Sequence, residues 1–187
     1  MKIRKPLFWN NMNLISSSLV PFSIITFIIN SFKNFLLKKN YKIKTICVGN
    51  IYVGGTGKTS LSIEINNILK KKFKTVFIKK KYINQLDERE LLKINGSVFS
   101  DNDRKISLTK AENTRKFNLA ILDDGLQDKT IKYDISIACF NSSYGLGNRL
   151  LMPAGPLREN LSILRNYSAI FLNGEKNNKN LFLILKE

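Results

Sequence analysis

The chain has 187 residues, no histidine, and 31 Lys+Arg against 14 Asp+Glu, a formal net charge of +17. At roughly 100–200 residues per domain, these residues hold one domain with a short appendage and exclude a complete second lobe among them; the lack of imidazole excludes every mechanism or metal site here that needs one. The basic surplus draws nucleic acid, anionic lipid and phosphorylated ligands alike, so charge alone selects no partner.

The first predicted element is apolar. Pro6 to Phe32 carry no charged residue, and basic residues flank them: Lys2, Arg4 and Lys5 before, Lys33, Lys38, Lys39, Lys42 and Lys44 after. A run of that length can cross a bilayer. Ser16, Ser17, Ser18, Asn30 and the central Pro21 dilute it, however, and Trp9 with the flanking lysines suits a helix lying among headgroups. A surface helix, a true span, and a buried or signal helix all stay open, although no clear small-residue cleavage site follows. The expected organisation is a membrane-associated helical segment at 1–40 and an α/β nucleotide-binding domain at 41–187.

Beyond Lys42 the pattern turns to short β-rich runs separated by helical or polar stretches. Ile43 to Asn50 reads as a strand ending in a Gly-rich turn, and Thr59 to Lys72 as a helix with apolar residues at Leu61, Ile65, Ile68 and Leu69. Thr75–Ile78, Leu119–Leu122, Ile135–Phe140 and Ala169–Leu172 are further strand candidates. Cys47 and Cys139 sit far apart in such runs, which predicts buried thiols, no disulfide framework and a reducing compartment. Strands alternating with helices argue for a mainly parallel sheet flanked by helices. The lysine runs 70–72 and 79–81 read equally as solvated faces or as attraction to an anionic leaflet.

The most specific signal is Val53-Gly54-Gly55-Thr56-Gly57-Lys58-Thr59, between a predicted strand and a predicted helix. Gly54, Gly55, Thr56 and Gly57 let backbone N–H groups wrap a phosphate, and the helix N-terminus adds positive potential. Lys58 reaches terminal phosphates, and the Thr59 hydroxyl suits Mg²⁺. This is a P-loop whose leading glycine is replaced by Tyr52, so the fold class is P-loop NTPase-like. Its partner element is an apolar strand ending in carboxylates, supplied by Leu119-Ala120-Ile121-Leu122-Asp123-Asp124-Gly125. Adjacent carboxylates there are costly without a cation, so Thr59, Asp123 and Asp124 are the expected metal set. A third element is the turn Pro153-Ala154-Gly155-Pro156-Leu157-Arg158-Glu159, with Arg158 expected to open a helix and to suit a phosphate clamp.

Taken together, Val48-Gly49-Asn50, the P-loop, Asp123-Asp124-Gly125-Leu126-Gln127, the Pro153–Glu159 turn and Asn173-Gly174 resemble the tetraacyldisaccharide 4′-kinase (lipid A 4′-kinase) family. Lys5-Pro6-Leu7-Phe8-Trp9 and Val20-Pro21-Phe22-Ser23 resemble that family's membrane-associated start. The resemblance implies transfer of the ATP γ-phosphate to the 4′-hydroxyl of an acylated glucosamine disaccharide 1-phosphate, at the cytoplasmic face of the inner membrane, with Mg²⁺ and without nucleic acid. It implies Asp87, in Leu86-Asp87-Glu88-Arg89, as the acceptor base, with Lys58 on the transferred phosphate. Tyr82, Arg104, Gln127 and Arg158 follow as residues facing nucleotide or substrate.

The chain also departs from the family pattern. The family's Arg-Gly-Tyr-Gly-Gly is Lys80-Lys81-Tyr82-Ile83-Asn84 here, its His after Asp-Asp-Gly-Leu-Gln is Asp128, and its His-bearing second lobe has no counterpart among these residues. The expectation is therefore a truncated kinase. The alternative is a catalytically silent or partner-dependent nucleotide-binding membrane protein, completed by a separately encoded lobe. A nucleic-acid-binding ATPase of the partitioning type shares the Gly-Gly-x-Gly-Lys-Thr loop but usually carries Lys where Val53 stands.

Overall fold

The computed structural model describes residues 5–82, 85–143, 145–174, 181 and 185, with the side chain of residue 34 left aside. Ile83 and Asn84 of the altered glycine motif and the polar run Lys176–Asn180 lie outside the described residues. The chain divides into two compact units, residues 37–49 with 57–137, and residues 1–36 with 50–56 and 138–187.

The 37–49 and 57–137 unit is built on parallel strands. β1 (Lys44–Gly49), β2 (Thr75–Lys80), β3 (Val98–Asp101) and β4 (Leu119–Asp123) alternate with α2 (Lys58–Leu69), α3 (Leu86–Asn95) and α4 (Arg104–Asn113). With β5 (Ile135–Asn141) and β6 (Ala169–Asn173), the strand order is β3-β2-β4-β1-β5-β6. β4 pairs in parallel with β1 on one side and β2 on the other, and is buried along its whole length. Burial on both faces is why Leu119-Ala120-Ile121-Leu122 is a continuous apolar run rather than an alternating one. Phe77, Leu92 and Ile121 form a fully buried cluster with Ile63, Ile65 and Val98 packed against it.

The predicted strands and the helix after the P-loop all form. The α2 face that packs deepest is nevertheless not its apolar one. Ser62 and Asn66 are buried while Ile68 is 64% exposed. Asn66 accepts from the Thr75 hydroxyl at 2.6 Å and donates to the Asn95 carbonyl at 3.0 Å, so its burial leaves no amide group wasted. Both cysteines are free and buried, as expected.

The other unit carries α1 (Leu14–Asn34), whose start is closed by a capping box: Asn13 accepts from Ser16 N–H, and Ser16 accepts from Asn13 N–H, each at 2.9 Å. This helix packs polar side inward. Ser16, Ser23 and Asn30 recur every seven residues on one face. The Ser23 hydroxyl donates to Leu151 O at 2.7 Å and accepts from Ala154 N–H at 3.2 Å, and Asn30 donates to Arg158 O at 2.7 Å. Trp9 donates its indole N–H to Pro153 O at 2.9 Å. Phe22, Ile24, Ile25, Phe27, Ile28, Ile29 and Phe32 face outward, and of the Leu14–Lys33 apolar stretch only 11% is buried. Arg158 opens no helix. Its N–H donates to Ile51 O at 2.7 Å, which keeps the chain extended, and the next helical turn is a 3₁₀ segment, Leu161–Asn166, capped by Asn160.

Two substitutions test this packing. A Cβ on Gly125 would stand 2.8 Å from the Cys47 sulfur and 3.3 Å from the Tyr133 hydroxyl, so Gly125→Ala should lower unfolding free energy by about 1–3 kcal/mol in a denaturant titration. Asp134 accepts from Thr45 N–H at 2.8 Å and from its hydroxyl at 2.9 Å. Partial burial works to raise its pKa, but the Thr45 bonds and Lys44 outweigh it and hold the carboxyl below its ordinary value. The folded pKa is the lower one, so the stabilisation exists above pH 4 and is lost as pH falls through the folded value. Asp134→Asn should cost about 1 kcal/mol at neutral pH, with wild type and variant converging in melts as the pH falls through the carboxyl's lowered folded value.

Candidate active site

Within the 37–49 and 57–137 unit, α2 begins without a side-chain cap. Gly57 holds the N-cap position at φ 80°, a left-handed conformation natural to glycine, and the amides of the first turn are left pointing out of the helix, the arrangement that binds anions. Lys58 and Thr59, the next two residues, reach the tip of β4. The Thr59 hydroxyl donates to Asp123 Oδ2 at 2.9 Å, and Lys58 Nζ stands 3.7 Å from Asp124 Oδ1.

Asp123 is fully buried. Its Oδ2 also accepts from Lys79 Nζ at 2.6 Å, whereas its Oδ1 is buried without a hydrogen-bond partner. An orphaned, buried carboxylate oxygen beside a second carboxylate and a threonine hydroxyl is chemistry that suits a hard divalent cation. Among the described residues no three His, Cys, Asp or Glu side chains converge. Mg²⁺ is usually held by one or two carboxylates with phosphate oxygens completing its shell, so this sparse donor set fits that ion together with a nucleotide.

Asp124 leaves β4 at φ 59°, a conformation uncommon for any residue but glycine. Three tethers hold it: its N–H donates to Val48 O at 2.8 Å, Arg104 donates a guanidinium N–H to its carbonyl, and the Tyr133 hydroxyl donates to the next carbonyl, Gly125 O, at 2.8 Å. Burial pushes both the Cys47 thiol and the Tyr133 phenol up, so this support stays neutral and hydrogen-bonding over the physiological range. Arg104, expected to face phosphate, here lies buried against the backbone of that turn.

Lys79 is the residue that sequence reading missed. It is 2% exposed, and its ammonium also pairs with Glu88 on the first turn of α3. Burial lowers its pKa, but Asp123 and Glu88 outweigh that and leave the net shift upward, so it stays charged. Asp87, the neighbour of Glu88, is exposed. Tyr82 is exposed with Lys80 Nζ 5.5 Å from its ring centre, and Gln127 is half-buried in the turn after Gly125.

In the other unit, Tyr52 fills the place of the absent glycine. It is buried with its ring 5.6 Å from that of Phe140, and its hydroxyl accepts from Asn141 N–H at 2.7 Å. Gly54 follows at φ 148°, and Asn50 donates to Gly54 O at 3.3 Å while its own Oδ1 accepts from Arg158 at 3.5 Å. Arg158 N–H to Ile51 O and Val53 N–H to Pro156 O, at 2.7 and 2.9 Å, splice the proline turn onto the start of the P-loop. Asn141 donates to Gly55 O at 3.3 Å, and the Thr56 hydroxyl is buried with no hydrogen-bond partner.

The tetraacyldisaccharide-1-P 4′-kinase (LpxK) family profile matches residues 15–184. A tetraacyldisaccharide 4′-kinase of Pelagibacter ubique is 50% identical over the whole chain, which spans 59% of that relative. One of Rickettsia bellii is 32% identical over 85% of the chain, 55% of its own length. The chain thus spans between half and two thirds of the curated relatives it matches. Among solved structures, LpxK from Aquifex aeolicus in complex with ATP superposes with a TM-score of 0.77 at 28% identity, covering 88% of this chain and 61% of that one. With a profile match over most of its length, the chain belongs to the tetraacyldisaccharide-1-P 4′-kinase family.

Proposed function

We propose that the chain transfers the γ-phosphoryl group of ATP to the 4′-hydroxyl of an acylated glucosamine disaccharide 1-phosphate. The observation that carries this is the junction of α2 with β4, where Thr59 meets Asp123 and Lys58 meets Asp124. Gly54, Gly55, Thr56 and Gly57 cradle phosphates with their amides; Lys58 stabilises the charge that builds on the transferred group. Thr59, Asp123 and Asp124 would hold Mg²⁺, which neutralises charge on the phosphate oxygens when bound. Asp87 accepts the proton of the acceptor hydroxyl as its oxygen bonds to phosphorus and the bond from phosphorus to the β-phosphate oxygen breaks. Tyr82, Arg104, Gln127 and Arg158 orient nucleotide or substrate, with Arg104 released from the Asp124 carbonyl or acting through it.

We further assign the 1–40 segment to a membrane surface at the cytoplasmic face and 41–187 to nucleotide binding. The support is the inward polar stripe of α1: a helix that turns Ser16, Ser23 and Asn30 to protein and Phe22, Phe27 and Phe32 outward suits an apolar medium there. An acylated acceptor resides in that medium. A second reading, nucleotide binding without transfer until a partner polypeptide completes the acceptor side, is favoured by the absence of histidine from these 187 residues.

In detergent with ATP, Mg²⁺ and the acylated disaccharide, mass spectrometry should find a 4′-phosphorylated product, reduced about a hundredfold or more by Lys58→Ala. No product above that control refutes the transfer reading, and ATP binding without product supports the second. In flotation assays the chain should co-migrate with anionic liposomes, and Phe22→Ser/Phe27→Ser should weaken capture at least about tenfold.

A further inference from the structure

The site contains one cation that phosphate chemistry does not call for. Lys79 and Asp123 are directly registered partners across the parallel β2–β4 pair, so their side chains leave the sheet on the same face. The ammonium and the carboxylate are both buried, 2.6 Å apart, and Glu88 closes the other side of the ammonium. Thr59 shares the same Asp123 oxygen. In the protein without nucleotide, Asp123 therefore already has a cationic partner, which it shares with Glu88.

We propose that Lys79 is a resident cation that satisfies Asp123 and keeps a free divalent ion out, so that the metal enters only together with a nucleotide. This rests on the reading of Asp123 as a ligand of the nucleotide's cation. An ammonium bonded to one carboxylate oxygen repels a dication at the other, and the repulsion is weakly screened where both are buried. A triphosphate brings the negative charge that offsets the two cations at once. Without Lys79 the buried Asp123 carboxylate would lack its counter-charge and would recruit a metal by itself. A role confined to tying α3 to β4 makes no such demand on metal affinity.

The probe is Mn²⁺, read as loss of its free-ion electron paramagnetic resonance signal on titration into the full chain in detergent. Wild type should bind no stoichiometric Mn²⁺ up to about 1 mM without nucleotide, and one equivalent when the non-hydrolysable adenylyl imidodiphosphate is present. Lys79→Met should bind Mn²⁺ without nucleotide at least about tenfold more tightly than wild type, and Lys79→Arg should behave as wild type. Lys79→Gln serves if the methionine variant does not fold. Stoichiometric Mn²⁺ on nucleotide-free wild type overturns the proposal by itself, as does a folded Lys79 variant with wild-type affinity. The readout needs no phosphoryl transfer: the expected Mn²⁺ pattern in a protein that makes no product upholds this inference and removes the kinase reading, whereas product formation with Mn²⁺ on the nucleotide-free chain does the reverse.

Discussion

A carboxylate with no access to water sits at the end of the central strand, and everything around it is arranged to tolerate it. Asp123 lies between Val48 on β1 and Lys79 on β2. A buried charge of this kind is expensive unless paired and hydrogen-bonded, so the neighbouring elements each contribute a group: Thr59 from α2, Lys79 from β2, and Glu88 from α3 to hold the lysine. Asp124, whose side chain is also largely buried, leaves the strand in a left-handed turn and meets Lys58.

The other unit meets the opposite problem. Its proline turn exposes the carbonyls of Leu151, Pro153 and Arg158, which need donors. The N-terminal segment supplies them from Ser23, Trp9 and Asn30. With Ser23 and Asn30 turned to those carbonyls, most of what α1 presents on its outer surface is aliphatic and aromatic. The exposed apolar face thus goes with the way the turn is satisfied.

Much of this was legible in sequence because the signals were short-range. A glycine-rich loop between a strand and a helix, and an apolar run ending in Asp-Asp-Gly, declare their roles through local geometry. β3, α3 and α4 left weaker marks. α3 and α4 are dominated by charged and polar residues, and α4 buries Arg104, Ser107, Leu108 and Ala111, a stripe with only two apolar members. Periodicity of hydrophobic residues could not reveal a face built that way. The direction of α1 was equally hidden: its seven-residue polar spacing is visible, but which medium each side meets depends on the carbonyls of a turn more than a hundred residues away.

The lysine runs show why composition misleads here. Lys70, Lys71 and Lys72 follow the last turn of α2 and are all exposed, as a charge run should be. Lys79, Lys80 and Lys81 look identical in the sequence but begin inside a strand, where successive side chains must point to opposite faces. A run of like residues in a buried strand cannot be solvated throughout, and the one that turns inward needs an anion. Its parallel neighbour at that register is Asp123, while Lys80 extends over Tyr82 and Lys81 meets solvent. The same residue type in two triplets thus has two fates, decided by the secondary structure beneath it, and the basic surplus of the chain includes at least one charge that never faces a partner at all.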